Sequence, residues 1–247
     1  MIPLKTEKDL QKIKQSAQIL TKVMRKLVQV IRAGVLTREI DALAEELILQ
    51  ENALPAFKGY QGFPATVCTS INEEIVHGIP SERRLKSGDI IGLDLGVKYN
   101  GYFSDAAVTL PVGLVPAKVK KLIRVTREAL AKGIKEAKPG NQLLDISAAI
   151  QRYVEKNGFS VVRQFVGHGI GTSLHEEPEI PNFGQPHHGL FLEKGMVLAI
   201  EPMVNLGGWE AEILDNGWTA VTRDRLPSAH FEHTVAITEK GHEILTG

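Results

Sequence analysis

Ile90-Ile91-Gly92-Leu93-Asp94-Leu95-Gly96-Val97-Lys98-Tyr99-Asn100-Gly101-Tyr102-Phe103-Ser104-Asp105-Ala106-Ala107-Val108-Thr109-Leu110 holds two apolar runs joined by Asn-Gly, the strongest two-residue signal for a β-hairpin. With the turn at Asn100-Gly101, Tyr99 pairs with Tyr102 and Gly96 with Asp105. Strand side chains alternate, so Asp94 and Gly96 share a face. Asp105 then lies diagonal to Asp94 on that face, with Cβ atoms about 7–8 Å apart or somewhat less. Taken singly, Asp94, like Glu201 in Val197-Leu198-Ala199-Ile200-Glu201-Pro202, reads as a strand-end group capping a loop. Taken together, Asp94 and Asp105 repel each other inside an apolar hairpin, which is costly unless a cation or strong donors compensate. A divalent cation would relieve the repulsion.

The same pattern occurs once more. Lys86-Ser87-Gly88-Asp89-Ile90-Ile91-Gly92-Leu93-Asp94 lies over Glu193-Lys194-Gly195-Met196-Val197-Leu198-Ala199-Ile200-Glu201, and both segments enter an apolar strand that ends in a carboxylate. The elements around them repeat as well. Thr6, with Asp9 three residues on, predicts a helix start. Leu10, Ile13, Ala17, Leu20, Met24, Leu27 and Ile31 continue it at helical spacing until Gly34. A second helix is expected over 37–50 with Ile40, Leu43 and Leu47 inward, followed by strands over 66–70, 75–78, 90–95 and 102–110. Pro116 opens a third helix, and a fourth runs over 143–157 to Gly158. Strands over 159–166, 196–204 and 231–238 follow. Two helices and then strands, twice, read as an internal duplication, about 1–112 and 113–247, within one domain of 247 residues.

Composition sets the bounds. Equal numbers of basic and acidic residues, 29 of each, argue against a sequence-independent grip on nucleic acid. A 43% hydrophobic content supports a packed core. One cysteine, Cys68, forms no intrachain disulfide and no cysteine-built zinc site, and suits a reducing compartment. No apolar segment resembles a signal peptide or a membrane span. A soluble cytoplasmic protein is expected.

In the second half, Glu232 should point away from Phe231 and His233. With Glu201, Asp94 and Asp105 it would make four carboxylates from four strands. His168, in Val-Gly-His-Gly-Ile-Gly, is a fifth candidate. Oxygen and imidazole donors without thiolate suit Mn, Fe, Co or Zn in a catalytic role. Four carboxylates balance two divalent ions, which favours a dinuclear site. Other motifs fail. Gly167-His168-Gly169-Ile170-Gly171 has its third glycine one place early for a dinucleotide loop. His175-Glu176-Glu177-Pro178 lacks the second histidine of a zincin helix, which Pro178 would also break. His187-His188 reads as a solvated loop, and Lys118, Lys120 and Lys121 as a solvated helix face.

These segments resemble the type I methionine aminopeptidases. The resemblance spans nearly the whole chain: Ser70-Ile71-Asn72-Glu73-Glu74-Ile75-Val76-His77-Gly78-Ile79-Pro80; Asp94 to Asp105; Gly167 to Gly171; His175 to Pro178; Ile200-Glu201-Pro202-Met203; and Ser228-Ala229-His230-Phe231-Glu232-His233-Thr234. It implies the pita-bread α/β (α+β) fold, two pseudo-symmetric halves whose curved antiparallel sheet is covered by helices and holds two metal ions. It implies that Asp94 chelates one metal, Asp105 and Glu232 bridge both, and His168 and Glu201 complete the other. His77 and His175 match the family's two non-ligand catalytic histidines, and Glu201 its general base. The methionine pocket maps onto Tyr60, Phe63, Cys68, His77, Leu174, His175 and Trp218. These are apolar, aromatic and soft groups suited to a thioether. Leu174 stands where relatives often carry an aromatic, and Phe57 where some carry cysteine.

The resemblance further implies removal of N-terminal methionine from peptides and nascent chains when the second residue is small, by a monomer with room for a weak ribosome contact. A proline-directed aminopeptidase P or prolidase uses the same ligands but a sizeable N-terminal domain, for which a helix starting at Thr6 leaves no room. Type II enzymes insert a subdomain between the two glutamates, which here are only 31 positions apart. A catalytically inactive pita-bread binding protein would have lost ligands, whereas all five are present.

Overall fold

In the computed structural model, which describes residues 2–247, Thr6 and Asp9 close a reciprocal capping box that starts α1 (Glu7–Val30). Its inward stripe, including Ile13, Leu20 and Leu27, is buried, each side chain contributing about 1.5–3 kcal/mol. The helix stops at Val30, earlier than Gly34, because Ile31 turns extended. α2 (Thr37–Gln50) buries Ile40, Ala44, Leu47 and Ile48, while Leu43 is only half-buried. Then come β1 (Leu54–Pro55), β2 (Val67–Ile71), β3 (Glu74–Val76), β4 (Ile90–Tyr99) and β5 (Tyr102–Pro111). The second half begins with α3 (Ala117–Glu136), behind Pro116, and α4 (Leu143–Lys156). Short strands follow: β6 (Ser160–Val161), β7 (Gly167–Gly169), β8 (Glu176–Ile180), β9 (Val197–Ile200) and β10 (Met203–Asn205). The chain ends with β11 (Ala211–Ile213), β12 (Ala220–Thr222), β13 (Ser228–His230), β14 (His233–Thr238) and β15 (Gly241–Ile244).

Every strand pairing is antiparallel. β4 is central to the first sheet, with β5 on one edge and β1 and β2 sharing the other. The second half builds a five-stranded sheet in the order β15-β14-β9-β7-β8 and the three-stranded sheet β13-β10-β6; β11-β12-β3 joins strands of both halves. Each half backs its main sheet with a helix pair. Leu20, Leu27, Ile40 and Ile48 pack on Ile91, Leu93 and Leu95, and Leu122, Val125, Ile146 and Ile150 pack on Leu198, Ile200 and Val235.

Three expected strands are broken. The segment 159–166 yields only β6, and 196–204 splits at Glu201-Pro202, where proline has no N–H for a ladder. The third begins at His233, two residues late. The four carboxylates therefore do not come from four strands. Asp94 and Asp105 lie on β4 and β5, whereas Glu201 and Glu232 lie where the ladder is interrupted. No helix among the described residues is long and apolar enough to cross a membrane.

Candidate active site

The hairpin register is Tyr99–Tyr102, Gly96–Asp105 and Asp94–Ala107, which sets Asp94 and Asp105 diagonal on one face. A Cβ at Gly96 would meet Phe57 Cε1 at 2.6 Å, so glycine lets Phe57 pack beside the carboxylates. In the second half, β9 pairs with β14 through Ile200–His233, and β10 with β13 through Met203–His230. Both ladders keep one register, so Glu201 and Glu232 oppose each other in the gap between them. Glu232 is also tied to the first half, its N–H donating to Ala107 O at 2.9 Å. His168, central in β7, lies opposite Ala199 of β9.

Asp105, His168 and Glu232 each offer a ligand atom, all within 4.8 Å of one another. His168 Nε2 stands 3.5 Å from Glu201 Oε1 and 4.0 Å from Asp105 Oδ2. The other ring nitrogen, Nδ1, is 2.9 Å from Gly169 O. A carbonyl only accepts, so Nδ1 carries the proton and Nε2 turns a lone pair towards the carboxylates. Lone pairs facing lone pairs call for a cation between them. Among the described residues, the buried atoms Asp94 Oδ1, Asp105 Oδ1 and Glu232 Oε1 have no partner.

The electrostatics agree. Burial, with Glu201's charge adding, lifts the Asp94 carboxyl to about 6. Burial also holds Asp105, Glu201 and Glu232 well above the usual carboxylate range, with neighbouring carboxylates adding at Asp105 and Glu232. Burial pushes His168 down to about 3. A divalent cation suits this set: it favours ionisation of the four acids, against the effect of burial, and it takes the lone pair of an imidazole that burial already keeps neutral. The residues fit a metal of borderline or hard character.

The cavity that holds the cluster continues past Phe57, Tyr60, Gln61, Phe63, Cys68, His77, Leu174, His175 and Trp218, bringing every sequence-inferred pocket residue to the cluster. Phe63 and Trp218 meet edge to face at 5.2 Å, and Cys68 sits beside Asp94 in the β2–β4 register. Burial, then Asp94, pushes the Cys68 thiol up, which keeps it neutral. His175 stacks edge-on against His168 at 4.3 Å and Tyr60 at 5.1 Å, with Tyr60 Oη 2.9 Å from its Nδ1. Burial lowers both His175 and His77, His77 to about 4, so both are neutral at pH 7. His77 has φ 59°, a left-handed conformation of the kind that concentrates at functional sites. The following Gly78 cannot carry a Cβ, which would fall 2.3 Å from Thr69 O.

A sequence profile of metallopeptidase family M24 matches residues 11–239. The chain belongs to family M24. Within M24, the methionine aminopeptidase of Clostridium perfringens is 52% identical over 246 residues, covering 100% of this chain and 99% of that one. Methionine aminopeptidase 1 of Bacillus subtilis is likewise 52% identical with the same coverage. The crystal structure of the Rickettsia prowazekii methionine aminopeptidase superposes with a TM-score of 0.99 at 41% identity, covering 100% of both chains. The pita-bread architecture expected from the sequence is therefore the fold of this M24 member.

Sequence reasoning missed three neighbours of the site. His230 is buried, with Nε2 3.6 Å from Glu201 Oε2 and no hydrogen-bond partner among the described residues. A histidine within an apolar strand gives no signal that separates it from core. Phe165, edge-on to His77 at 5.7 Å, and Gln61 come from irregular segments without periodicity. His187 is exposed, as expected.

Proposed function

We propose that this chain is a metal-dependent methionyl aminopeptidase that removes N-terminal methionine when the second residue is small. One observation carries the reading: a single cavity joins the carboxylate–imidazole cluster to a soft apolar wall with no charged group. Phe63, Cys68, Leu174 and Trp218 can enclose a linear thioether, whereas Lys or Glu would be buried there without compensation. Leucine branches one carbon too early to follow the same path.

Asp94 would hold one ion, Asp105 and Glu232 would be shared, and His168 and Glu201 would complete the second position. Two divalent ions balance the four carboxylates, and Mn, Fe, Co and Zn all suit the donors. Bound there, the metal supplies Lewis acidity that lowers the pKa of a water and polarises the peptide carbonyl. As general base, Glu201 would take a proton from the attacking water and pass it to the leaving amine. In the tautomer this role needs, Tyr60 Oη donates to Nδ1 of His175 and the ring's proton sits on Nε2, which would donate to the carbonyl oxygen as negative charge develops. His77, which lines the same cavity, would contact the substrate. We read residues 1–247 as one catalytic domain of two related halves, acting as a monomer on nascent chains in the cytoplasm; a lone unpaired cysteine supports a reducing compartment.

The test is kcat/KM across peptides Met-X-Ser-Lys, beside an Ala-Pro series. The second residue would lie against the cluster and His77, where a bulky side chain would push the scissile carbonyl out of place, and displacing the carbonyl by about 1 Å can cost ~10²-fold in rate. Fast cleavage is expected for X = Gly, Ala, Ser, Thr, Pro, Val or Cys, and slow cleavage for Leu, Lys, Glu or Phe. Preference for Ala-Pro over Met-Ala would transfer the chain to the proline-directed class, and no cleavage at all would leave a binding protein.

A further inference from the structure

The seam between the two halves runs through the cluster and is held in an unusual way. From the closing pair Tyr99–Tyr102, hydrogen-bonded and non-bonded pairs alternate along the hairpin. Asp105, Ala107 and Thr109 therefore direct their backbone groups away from β4. Opposite them lie Thr234, Glu232 and His230. Only the central position makes a direct backbone bond, Glu232 N–H to Ala107 O. On either side a threonine hydroxyl replaces the ladder. Thr234 Oγ1 accepts from Asp105 N–H at 2.9 Å and donates to Asp105 O at 2.7 Å. Thr109 Oγ1 accepts from His230 N–H at 2.9 Å and donates to His230 O at 2.8 Å. Each half thus lends one hydroxyl, acting as donor and acceptor at once, to clamp the backbone of the other. All four residues are buried.

We propose that Thr234 and Thr109 are positioning residues for the metal cluster, fixing the backbones that carry Asp105 and Glu232 across the seam. The proposal rests on the reading of those two carboxylates as shared ligands. Direct bonds would hold two strands about 4.7–4.9 Å apart; at the two flanking positions an interposed hydroxyl spans the seam and pairs both the N–H and the C=O of Asp105 and of His230. Asp105 is held at its own N–H and C=O. Glu232 is held by its own bond to Ala107 and, two residues away, by the clamp on His230.

Thr234→Val and Thr109→Val keep the side chain's shape and remove both bonds. Titration of the metal-free full chain with Mn²⁺ should show binding weakened about 10- to 100-fold, as for groups that orient metal ligands, and Thr234→Ser should restore most of it. Thr126→Val is the control: its buried hydroxyl donates to Leu122 O within α3 and takes no part in the clamps, and Mn²⁺ binding should be unchanged. Should Thr234→Val not fold, Thr109→Val carries the same test. Valine variants that melt earlier when metal-free yet bind Mn²⁺ like wild type would overturn the proposal and leave the threonines purely structural. Asp105→Asn is titrated alongside. If it loses Mn²⁺ while the valine variants do not, the clamp reading alone fails; if it binds undiminished, the ligand reading fails with it.

Discussion

Glu176→Ala is expected to damage both stability and catalysis, because that carboxylate ties the loop carrying His175 to the N-terminal segment. Glu176 pairs with Lys5, both side chains being largely buried. It also accepts from Thr172 N–H at 2.7 Å, Ser173 N–H at 3.0 Å and Thr172 Oγ1 at 3.1 Å. Removing one member of a buried pair costs about 3–5 kcal/mol. The lower end applies here, since Lys5 Nζ keeps Pro3 O at 3.1 Å. For a chain of this size, about 3 kcal/mol lowers Tm by roughly 6–12 °C. With the turn over 172–175 released, His175 drifts, and about 1 Å of drift can cost ~10²-fold in kcat. Lys5→Met leaves the three hydrogen bonds within the loop and should lower Tm while sparing most of kcat. The pH dependence has a defined sign. Lys5 and the loop donors hold the Glu176 carboxyl below its usual value. Its contribution is therefore complete above the unfolded pKa near 4.5 and lost as pH falls through the lower folded value. Scanning calorimetry from pH 7 to pH 3 with steady-state kinetics reads all three effects. A Glu176→Ala protein with wild-type Tm and kcat would refute the reasoning.

Two further outcomes are expected. Chelation should abolish activity and Mn²⁺, Co²⁺ or Fe²⁺ restore it, with Mn²⁺ at about 100 times its Kd adding roughly 2.7 kcal/mol of stability; full turnover by protein shown to be metal-free would sink the metal mechanism. His175→Ala should lower kcat by about 10²–10³, as for loss of one oxyanion donor, with Mn²⁺ affinity near wild type; the reverse pattern would make His175 a ligand.

The first half of the site was legible because Asn100-Gly101 leaves the hairpin one register, and register alone places Asp105 diagonal to Asp94. The long helices were legible because their stripes persist over several turns. The irregular second half was not. Strands of three or four residues such as β10, β12 and β13 are too short for a period to show, and β8 is hidden because Glu176-Glu177-Pro178 reads as a break. Glu201 and Glu232 were found as residues but assigned to strands they do not occupy, though Pro202 already signalled an interruption. That interruption preserves register: Ile200 pairs with His233 before it and Met203 with His230 after it. A slip of one residue on either side would turn Glu201 or Glu232 to the opposite face. The break therefore frees the two glutamates from the ladder without changing where they point, and places them opposite the hairpin carboxylates on the far side of the seam. Convergence of four acids follows from two independent registers, one set by a turn and one kept across a proline, and only the first can be read from local sequence.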